Sequence, residues 1–281
     1  MREALRSELG RALGSPVARA SAISGGDINE AHAVELADGR CVFVKHNAAC
    51  PIGMFEAEAE GLGWLGESHT LPVPGVLAVG ADYLVLELIE PGRRGAGFDE
   101  ELGRGLAALH ASGAPAFGHA RHNFIGRLPQ DNSSEPDWPS FYRERRLRPM
   151  VDQARDVLGR ELCSAFERLF ANLADRVGPA EPPARLHGDL WGGNLHATAS
   201  GAPCLIDPAV YAGHREMDLA MMKLFGGFGP RVFAAYDEAF PLEPGFAERV
   251  ALYQLYPLLV HVNLFGRGYV GSVREALSGY L

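Results

Sequence analysis

The sequence contains almost no lysine and few cysteines. Only Lys45 and Lys223 are lysines among 26 basic residues, and the others are arginines. The four cysteines occur singly, without the CxxC spacing or the density of a disulfide framework, which favours a reducing compartment. A lysine retained in so arginine-rich a chain is a candidate for a role that needs a compact ammonium group, such as contact with phosphate. Lys45, which ends the apolar run CVFVK, is the stronger candidate.

The chain also lacks an excess of positive charge and an apolar run of membrane length. Its 26 basic and 35 acidic residues give a net charge of −9, which disfavours nucleic acid and an anionic membrane as partners. The longest apolar segment, residues 252–265, includes three residues that are not apolar and is too short to span a bilayer. The first residues are charged at short intervals, unlike a secretory signal. We therefore expect a cytoplasmic protein that binds neither nucleic acid nor a membrane.

A change of pattern near Glu90 divides the chain of 281 residues. Before it, β-branched and aromatic runs predict strands around residues 31–36, 41–45, 75–80 and 83–90, and helical spacing predicts a helix over residues 54–66. The following PGRRGAG is typical of a connector. Helical patterns then predominate, for example over residues 151–176 and 247–262. We predict an N-terminal lobe of residues 1–90 and a C-terminal lobe of residues 91–281.

The segment LHGDLWGGNL, residues 186–195, contains the most specific catalytic pattern. Protein kinases have a catalytic loop HRDLxxxN, in which the aspartate accepts the proton of the substrate hydroxyl and the asparagine binds magnesium. The sequence matches at the histidine, aspartate, leucine and asparagine, and has Gly188 in place of the arginine. The pattern predicts Asp189 as the catalytic base and Asn194 as a metal ligand. We expect His187 to brace the loop.

Other residues could complete a phosphoryl-transfer site. Asp207 follows Asn194 by thirteen residues, where a second and anionic metal ligand is expected. Lys45 would hold phosphates from the third strand, and a glutamate of the following helix would orient it. Glu58 is the predicted partner, although Glu56 and Glu60 lie within one helical turn of it and spacing alone does not exclude them.

The glycine loop is the least specific part of the pattern. Gly25 and Gly26 in SGGDIN could bring the backbone close to a phosphate, but the segment is not GxGxxG and could be a hairpin turn. Each of these features alone has an ordinary structural explanation, since turn aspartates and surface glutamates are common. Their order along the chain is what favours a kinase-like site.

Nine stretches together resemble one known family and span nearly the whole chain. They are GGDIN, FVK, MFEAEAEGL, LVLELIE, LGRGLAALH, NFIG, LHGDLWGGN, IDPAVYAGHREMDLAMMKLFGGF and LYQLYPLLVHVNLFG. The sequence resembles the fructosamine kinase (ketosamine 3-kinase) family, which is related to the aminoglycoside phosphotransferases and choline kinases. The tryptophan within the catalytic loop and the segments GHRE and LFGGF distinguish this family from the aminoglycoside kinases.

The resemblance implies an α+β, two-lobed protein-kinase-like fold. Its small N-terminal lobe would be an antiparallel sheet with one helix, and its larger C-terminal lobe would be mainly helical. The implied activity is ATP-dependent and magnesium-dependent phosphorylation of the sugar 3-hydroxyl of a ketoamine, whose unstable product sheds the sugar and so deglycates the amine. The acceptor would be a small-molecule ketoamine or a glycated protein side chain.

The resemblance also implies roles for individual residues. Asp189 would be the catalytic base, Trp191 would line the sugar pocket, and backbone groups of Leu86, Glu87 and Leu88 would bind adenine. The remaining implied residues are metal ligands or contact the phosphates: Asn194 and Asp207 for Mg²⁺, and Gly25, Gly26, Lys45 and Glu58 for the nucleotide.

Several alternatives remain open at the level of sequence. A two-metal phosphatase would need histidine ligands, and the residue after Asn194 is Leu195. A kinase-like nucleotide-binding protein without activity is disfavoured because the lysine, the base and both metal ligands are present. An aminoglycoside or choline acceptor is a further alternative. The sequence leaves the preferred ketoamine and the oligomeric state open.

Overall fold

The structure is a computed structural model that describes residues 1–23 and 29–281. Its strands are β1 (Val17–Ile23), β2 (Glu30–Leu36), β3 (Cys41–His46), β4 (Val76–Gly80), β5 (Tyr83–Glu87), β6 (Asn123–Ile125), β7 (Leu128–Gln130), β8 (Ala184–Leu186), β9 (Leu195–Ala197), β10 (Pro203–Leu205) and β11 (Tyr211–Gly213). Its helices are α1 (Glu3–Leu13), α2 (Met54–Gly66), α3 (Phe98–Ala111), α4 (Trp138–Phe141), α5 (Arg148–Gln153), α6 (Arg155–Ala171), α7 (Glu216–Phe225), α8 (Pro230–Ala239), α9 (Phe246–Phe265) and α10 (Val270–Ser278).

The N-terminal part is built on a five-stranded antiparallel sheet with the order β1-β2-β3-β5-β4. The predicted helix over residues 54–66 and the four predicted strands are present, although the strand predicted over residues 83–90 ends at Glu87. The tight turn between β2 and β3 contains Gly39 at φ 88°, a left-handed conformation that favours glycine. β3 lies at the centre of the sheet, so a side chain on β3 is supported from both sides.

The two faces of the sheet pack against different helices. Val42 and Val44 of β3 lie in a core with Leu5 and Leu9 of α1. Successive strand residues point to opposite faces, so Lys45 extends from the other face, where α2 packs. The sequence predicts one helix in this lobe, and α1 is a second one. Only these two leucines of α1 are buried, and two apolar positions in a highly charged segment are too few to indicate a helix.

The C-terminal part is mainly helical, as predicted. Two large apolar cores lie here, and the long helix α9 passes through the larger one with ten of its residues buried. The segments predicted as helical around residues 151–176 and 247–262 contain α5, α6 and α9. Among the described residues, no helix combines the length and the apolar character needed to cross a membrane.

The connector after Glu90 is hydrogen-bonded to the segment that contains β9 and β10. The backbone N–H of Gly92 donates to the carbonyl of Ala197 at 2.8 Å, and that of Gly95 donates to Gly201 at 3.0 Å. A Cβ atom at Gly92 would lie 1.9 Å from the carbonyl oxygen of Thr198, so only glycine fits there. The connector is therefore an ordered segment fixed to the turn between β9 and β10.

Candidate active site

A small hairpin explains the thirteen-residue spacing between Asn194 and Asp207. Strands β9 and β10 pair antiparallel, with Leu195 opposite Leu205. Asn194 and Ile206 therefore flank the open end of the hairpin, and the Ile206 N–H donates to the Asn194 carbonyl at 3.1 Å. The Asn194 side chain Nδ2 also lies 3.4 Å from the backbone oxygen of Asp207. The two predicted metal ligands are thus neighbours in space.

Asp189 is held next to Asn194 by the loop between β8 and β9. Nδ2 of Asn194 donates to the Asp189 backbone oxygen at 2.9 Å and to its carboxylate Oδ2 at 3.2 Å. Burial raises the pKa of Asp189 to about 7. The hydrogen bond from Asn194 lowers this pKa, whereas the negative charges of Asp207 and Asp218 raise it further. A carboxyl group with a pKa near neutrality is suited to accept and return a proton.

Lys45 joins the sheet to this segment. Its Nζ lies 2.7 Å from Oε1 of Glu58 on α2 and 2.5 Å from Oδ1 of Asp207. Burial of Lys45 favours the neutral amine, but the two carboxylates outweigh it and raise its pKa above the ordinary value. Burial raises the pKa of Glu58, although Lys45 opposes this. Glu60, one of the two competitors, instead pairs with Arg121 at 3.0 Å.

Asp207 combines an unusual backbone with an accessible carboxylate. Its φ is 56°, in the left-handed region, and such strain in a residue other than glycine is concentrated at functional sites. Its side chain is 40% exposed even though one oxygen contacts Lys45. Together with Asn194 and Asp189 it offers only hard oxygen donors, the ligands that suit Mg²⁺. The residues present therefore fit a magnesium ion.

Asp218 braces the catalytic loop from the first turn of α7. One carboxylate oxygen accepts the backbone N–H of His187 at 2.8 Å, and the other accepts that of Gly188 at 2.9 Å. Burial tends to raise the pKa of Asp218, but its hydrogen bond to His110 and the backbone donors lower it overall. His110 in turn contacts Tyr236 through its other ring nitrogen at 2.8 Å. His110 could not be identified from the sequence, because nothing in the residues around it indicates that a histidine on an otherwise apolar helix face contacts Asp218.

The geometry accounts for the glycine that replaces the arginine of HRDLxxxN. Gly188 has φ 82°, and a Cβ atom there would lie 2.1 Å from the carbonyl oxygen of Ala209. The loop and the segment after Asp207 are in fact joined, because the Ala209 N–H donates to the His187 carbonyl at 2.9 Å. The imidazole of His187 also contacts the Ile206 carbonyl through Nε2 at 2.9 Å. His187 therefore braces the loop, as predicted.

Trp191 lies at the surface beside the catalytic loop. Its side chain is large and apolar, yet the residue is 41% exposed. The indole lies over Gly193, where a Cβ atom would come within 2.2 Å of the ring. Gly192 approaches Gly227 of the LFGGF segment, and a Cβ atom at Gly192 would lie 3.2 Å from the Gly227 Cα. Because Gly192 and Gly193 have no side chains, Trp191 and the LFGGF segment can pack closely against the loop.

Three of the other residues predicted to bind the nucleotide lie at or just after the end of β5. Leu86 and Glu87 end β5, where the Glu87 N–H donates to the Gly75 carbonyl at 2.8 Å, and Leu88 follows the strand. Gly25 and Gly26 lie outside the described residues. The structure thus brings together Lys45, Glu58, Asp189, Asn194 and Asp207, with Trp191 in the same loop.

A small pocket opens beside Asp189 on the side of α7 and α9. It lies between the catalytic loop and apolar, aromatic and imidazole groups, and it includes the carboxylates of Asp189 and Asp218. Its lining residues are Ile125, Gly188, Asp189, Tyr211, Met217, Asp218, Met221, Tyr256, Pro257, Val260 and His261.

Comparison with known proteins gives a consistent result over the whole chain. The family model described as fructosamine kinase matches residues 1–281. A protein of Thermus thermophilus named a probable ketoamine kinase is 40% identical over 256 residues, which cover 91% of this chain and 92% of the relative. A chloroplastic protein-ribulosamine 3-kinase of Arabidopsis thaliana is 37% identical over 277 residues, which cover 94% of this chain and 83% of the relative.

Solved structures agree with the sequence comparisons. The crystal structure of a protein assigned as a fructosamine-3-kinase from Thermobifida fusca superposes with a TM-score of 0.92 at 38% identity, covering 100% of this chain and 99% of that one. A macrolide 2'-phosphotransferase type I superposes with a TM-score of 0.66 at 18% identity, covering 100% of this chain and 98% of that one. This more distant likeness shows the two-lobed kinase-like fold.

Proposed function

Because the chain belongs to the fructosamine kinase family, we propose that it transfers the γ-phosphoryl group of ATP to the sugar 3-hydroxyl of a ketoamine. The observation that carries this proposal is the contact of Lys45 with both Glu58 and Asp207, next to the Asp189 and Asn194 pair. An ammonium, two oxygen-donor metal ligands and a carboxylate base are the parts that phosphoryl transfer needs.

The chain's own residues would hold the nucleotide and its metal. Asp207 and Asn194 would hold Mg²⁺, which when bound neutralises phosphate charge and orients the γ-phosphoryl group. Lys45, kept in place by Glu58, would contact the phosphates as a compact positive charge. Backbone groups of Leu86, Glu87 and Leu88, together with Gly25 and Gly26, complete the proposed nucleotide site. The hinge then falls near Glu90, between lobes of residues 1–90 and 91–281.

Asp189 would position the attacking hydroxyl and take up its proton. The hydrogen bond from Asn194 fixes the direction of the carboxylate, so the hydroxyl is held in line with the transferred group. The proton passes to the carboxylate as the new O–P bond forms, since a free alcohol is far too weak an acid to ionise earlier. Phosphorylation leaves a ketoamine 3-phosphate, which is expected to release its sugar portion and restore the amine.

Trp191 would form one wall of the acceptor site. Exposed aromatic faces bind the C–H surfaces of sugars, and Trp191 stands beside the base in the same loop. The acceptor is thus a small ketoamine or a glycated side chain on a protein surface. We expect the cytoplasm as its location, although the plant relatives are named chloroplastic.

A phosphotransfer screen with magnesium-ATP tests the proposal. Ribulosamine, erythrulosamine and fructosamine adducts of one amine would be compared with an aminoglycoside and with choline, and ³¹P spectra would locate the new phosphate. We expect a 3-phosphate on at least one ketoamine, with Asp189→Asn lowering turnover on the order of 10² while nucleotide affinity is largely kept. Phosphorylation of the aminoglycoside or choline alone, or ADP release without an acceptor product, would contradict the proposed substrate class.

A further inference from the structure

A second cluster of ligating side chains lies on the face of the sheet opposite Lys45. Glu30 and His32 of β2 point to this face together with His46 of β3, since Glu30 is opposite His46 in the strand register and His32 is opposite Val44. One ligand atom from each of the three residues lies within 4.8 Å of those from the other two. This cluster is separate from the proposed magnesium site.

Two nitrogens of the cluster are buried and make no hydrogen bond among the described residues. They are Nδ1 of His32, a residue that is 6% exposed, and Nε2 of His46, which is 5% exposed and lies at ion-pair distance, 3.2 Å, from Oε2 of Glu30. His110 and His187, in contrast, use both ring nitrogens. A buried polar atom without a partner is destabilising, and such atoms are rare in native proteins. The unpartnered Nδ1 of His32, next to a carboxylate that already approaches His46, therefore points to a ligand.

We propose that Glu30, His32 and His46 form a binding site for a divalent transition-metal ion of the Zn²⁺ type. Two imidazoles and one carboxylate are a common ligand set of zinc, whereas magnesium prefers oxygen ligands only. The Oε2 of Glu30 and Nε2 of His46 are 3.2 Å apart, close to the separation of two ligands on one tetrahedral zinc ion.

Closing the site needs a small rearrangement. The rings of His32 and His46 are stacked with centroids 5.2 Å apart and planes 22° apart, whereas an ion lies in the plane of each ring that binds it. His32 therefore turns about its Cβ–Cγ bond when the ion binds. The Glu30 side chain is 73% exposed and is free to follow. The ion would then fasten β2 to β3 at the end of the sheet where β2 begins.

Metal titration of protein without an affinity tag tests the site. After treatment with a chelator, the protein is kept in excess Mg²⁺ so that the oxygen-donor site is occupied, and Zn²⁺ is added in a calorimeter. We expect one ion per chain with micromolar or tighter affinity, and a higher melting temperature with Zn²⁺ present. Bound Co²⁺ should show the absorption of tetrahedral coordination with nitrogen ligands.

Variants assign the ion to the cluster. Glu30→Gln changes an exposed side chain, so the fold and the magnesium-dependent activity should be kept while zinc affinity falls about tenfold or more. His32→Gln and His46→Gln should abolish binding, and His196→Gln, at an exposed strand position, should leave it unchanged. Binding that persists in Glu30→Gln and both histidine variants but is lost in Asp207→Asn would overturn the proposal, as would a wild-type protein that takes up no zinc. The zinc-binding outcomes do not depend on the proposed kinase activity.

Discussion

Lys45 and Asp207 are 162 positions apart in the chain, yet Nζ of the first lies 2.5 Å from Oδ1 of the second. The contact connects the central strand of the sheet with the segment that follows the β9–β10 hairpin. Glu58 approaches the same ammonium group from α2. One buried cation is thus shared by two carboxylates that come from different parts of the molecule, and the following predictions concern this centre and its surroundings.

Replacing Glu58 by Gln should weaken nucleotide use. The neutral amide keeps the shape but removes the charge that holds Lys45, so we expect kcat/KM for ATP to fall about tenfold or more. Glu60→Gln is a matched control two positions away, since Glu60 pairs with the exposed Arg121. Steady-state kinetics with ATP varied measure the effect. Equal losses in the two variants would show that the pairing with Lys45 is unimportant.

The pKa of Asp189 predicts a specific pH dependence of stability in the ligand-free protein. The pKa is about 7 in the folded state, against an ordinary value of 3.8, so between these values the folded protein binds more protons than the unfolded chain. The free energy of unfolding of the wild-type protein therefore falls as pH rises through this window, because ionisation of Asp189 disfavours the folded state. Asp189→Asn removes the effect, and its stability relative to wild type should increase from pH 4 to pH 8 by about 4 kcal/mol.

Denaturant unfolding at several pH values measures this difference. A relative stability of Asp189→Asn that falls with increasing pH would contradict the raised pKa.

Gly188→Ala should destabilise the catalytic loop severely. The new Cβ atom would collide with the Ala209 carbonyl oxygen in addition to the strain of φ 82°, and we expect a loss of about 3 kcal/mol or more. Gly39→Ala is the control, because Gly39 has φ 88° and no described atom within 4 Å of a Cβ atom. That variant should lose only about 1 kcal/mol. Thermal melts of the two variants separate the collision from the backbone strain, and equal losses would exclude the collision.

Trp191→Ala should raise the KM for the ketoamine and leave the KM for ATP unchanged. The side chain is 41% exposed, so its removal should have little effect on the melting temperature. Trp191→Phe, which retains an aromatic face, should recover part of the acceptor affinity. A rise in the KM for ATP of the same size would place Trp191 outside the acceptor site.

The sequence was sufficient for features that are local or that follow a chain-order pattern. Runs of β-branched and aromatic residues predicted β2, β3 and β5, and helical spacing predicted α2 with its observed ends at Met54 and Gly66. The order of the kinase-like residues predicted the pairing of Lys45 with Glu58, which the structure contains. It also predicted that Lys45 and Asp207 serve one site, and the two side chains are in contact.

Contacts between distant segments that lie outside this pattern could not be predicted in this way. The partners of Asp218 include His110, which is 108 positions away and lies on a helix whose other buried residues are mostly apolar. Glu30, His32 and His46 meet only because of the register of β2 on β3. Such register depends on the packing of whole strands, so the residue types alone do not reveal it.

The scarcity of lysine has a chemical consequence for a protein of this family. Free amines attack the carbonyl group of reducing sugars, and the ε-amines of lysine are the usual sites of this reaction on a protein surface. Of the two lysines in this chain, Lys45 has a side chain that is only 9% exposed and an amine held between two carboxylates, which leaves the amine of Lys223 as the accessible one. Arginine supplies almost all of the positive charge, so a catalyst that repairs sugar damage offers little substrate for that damage in its own side chains.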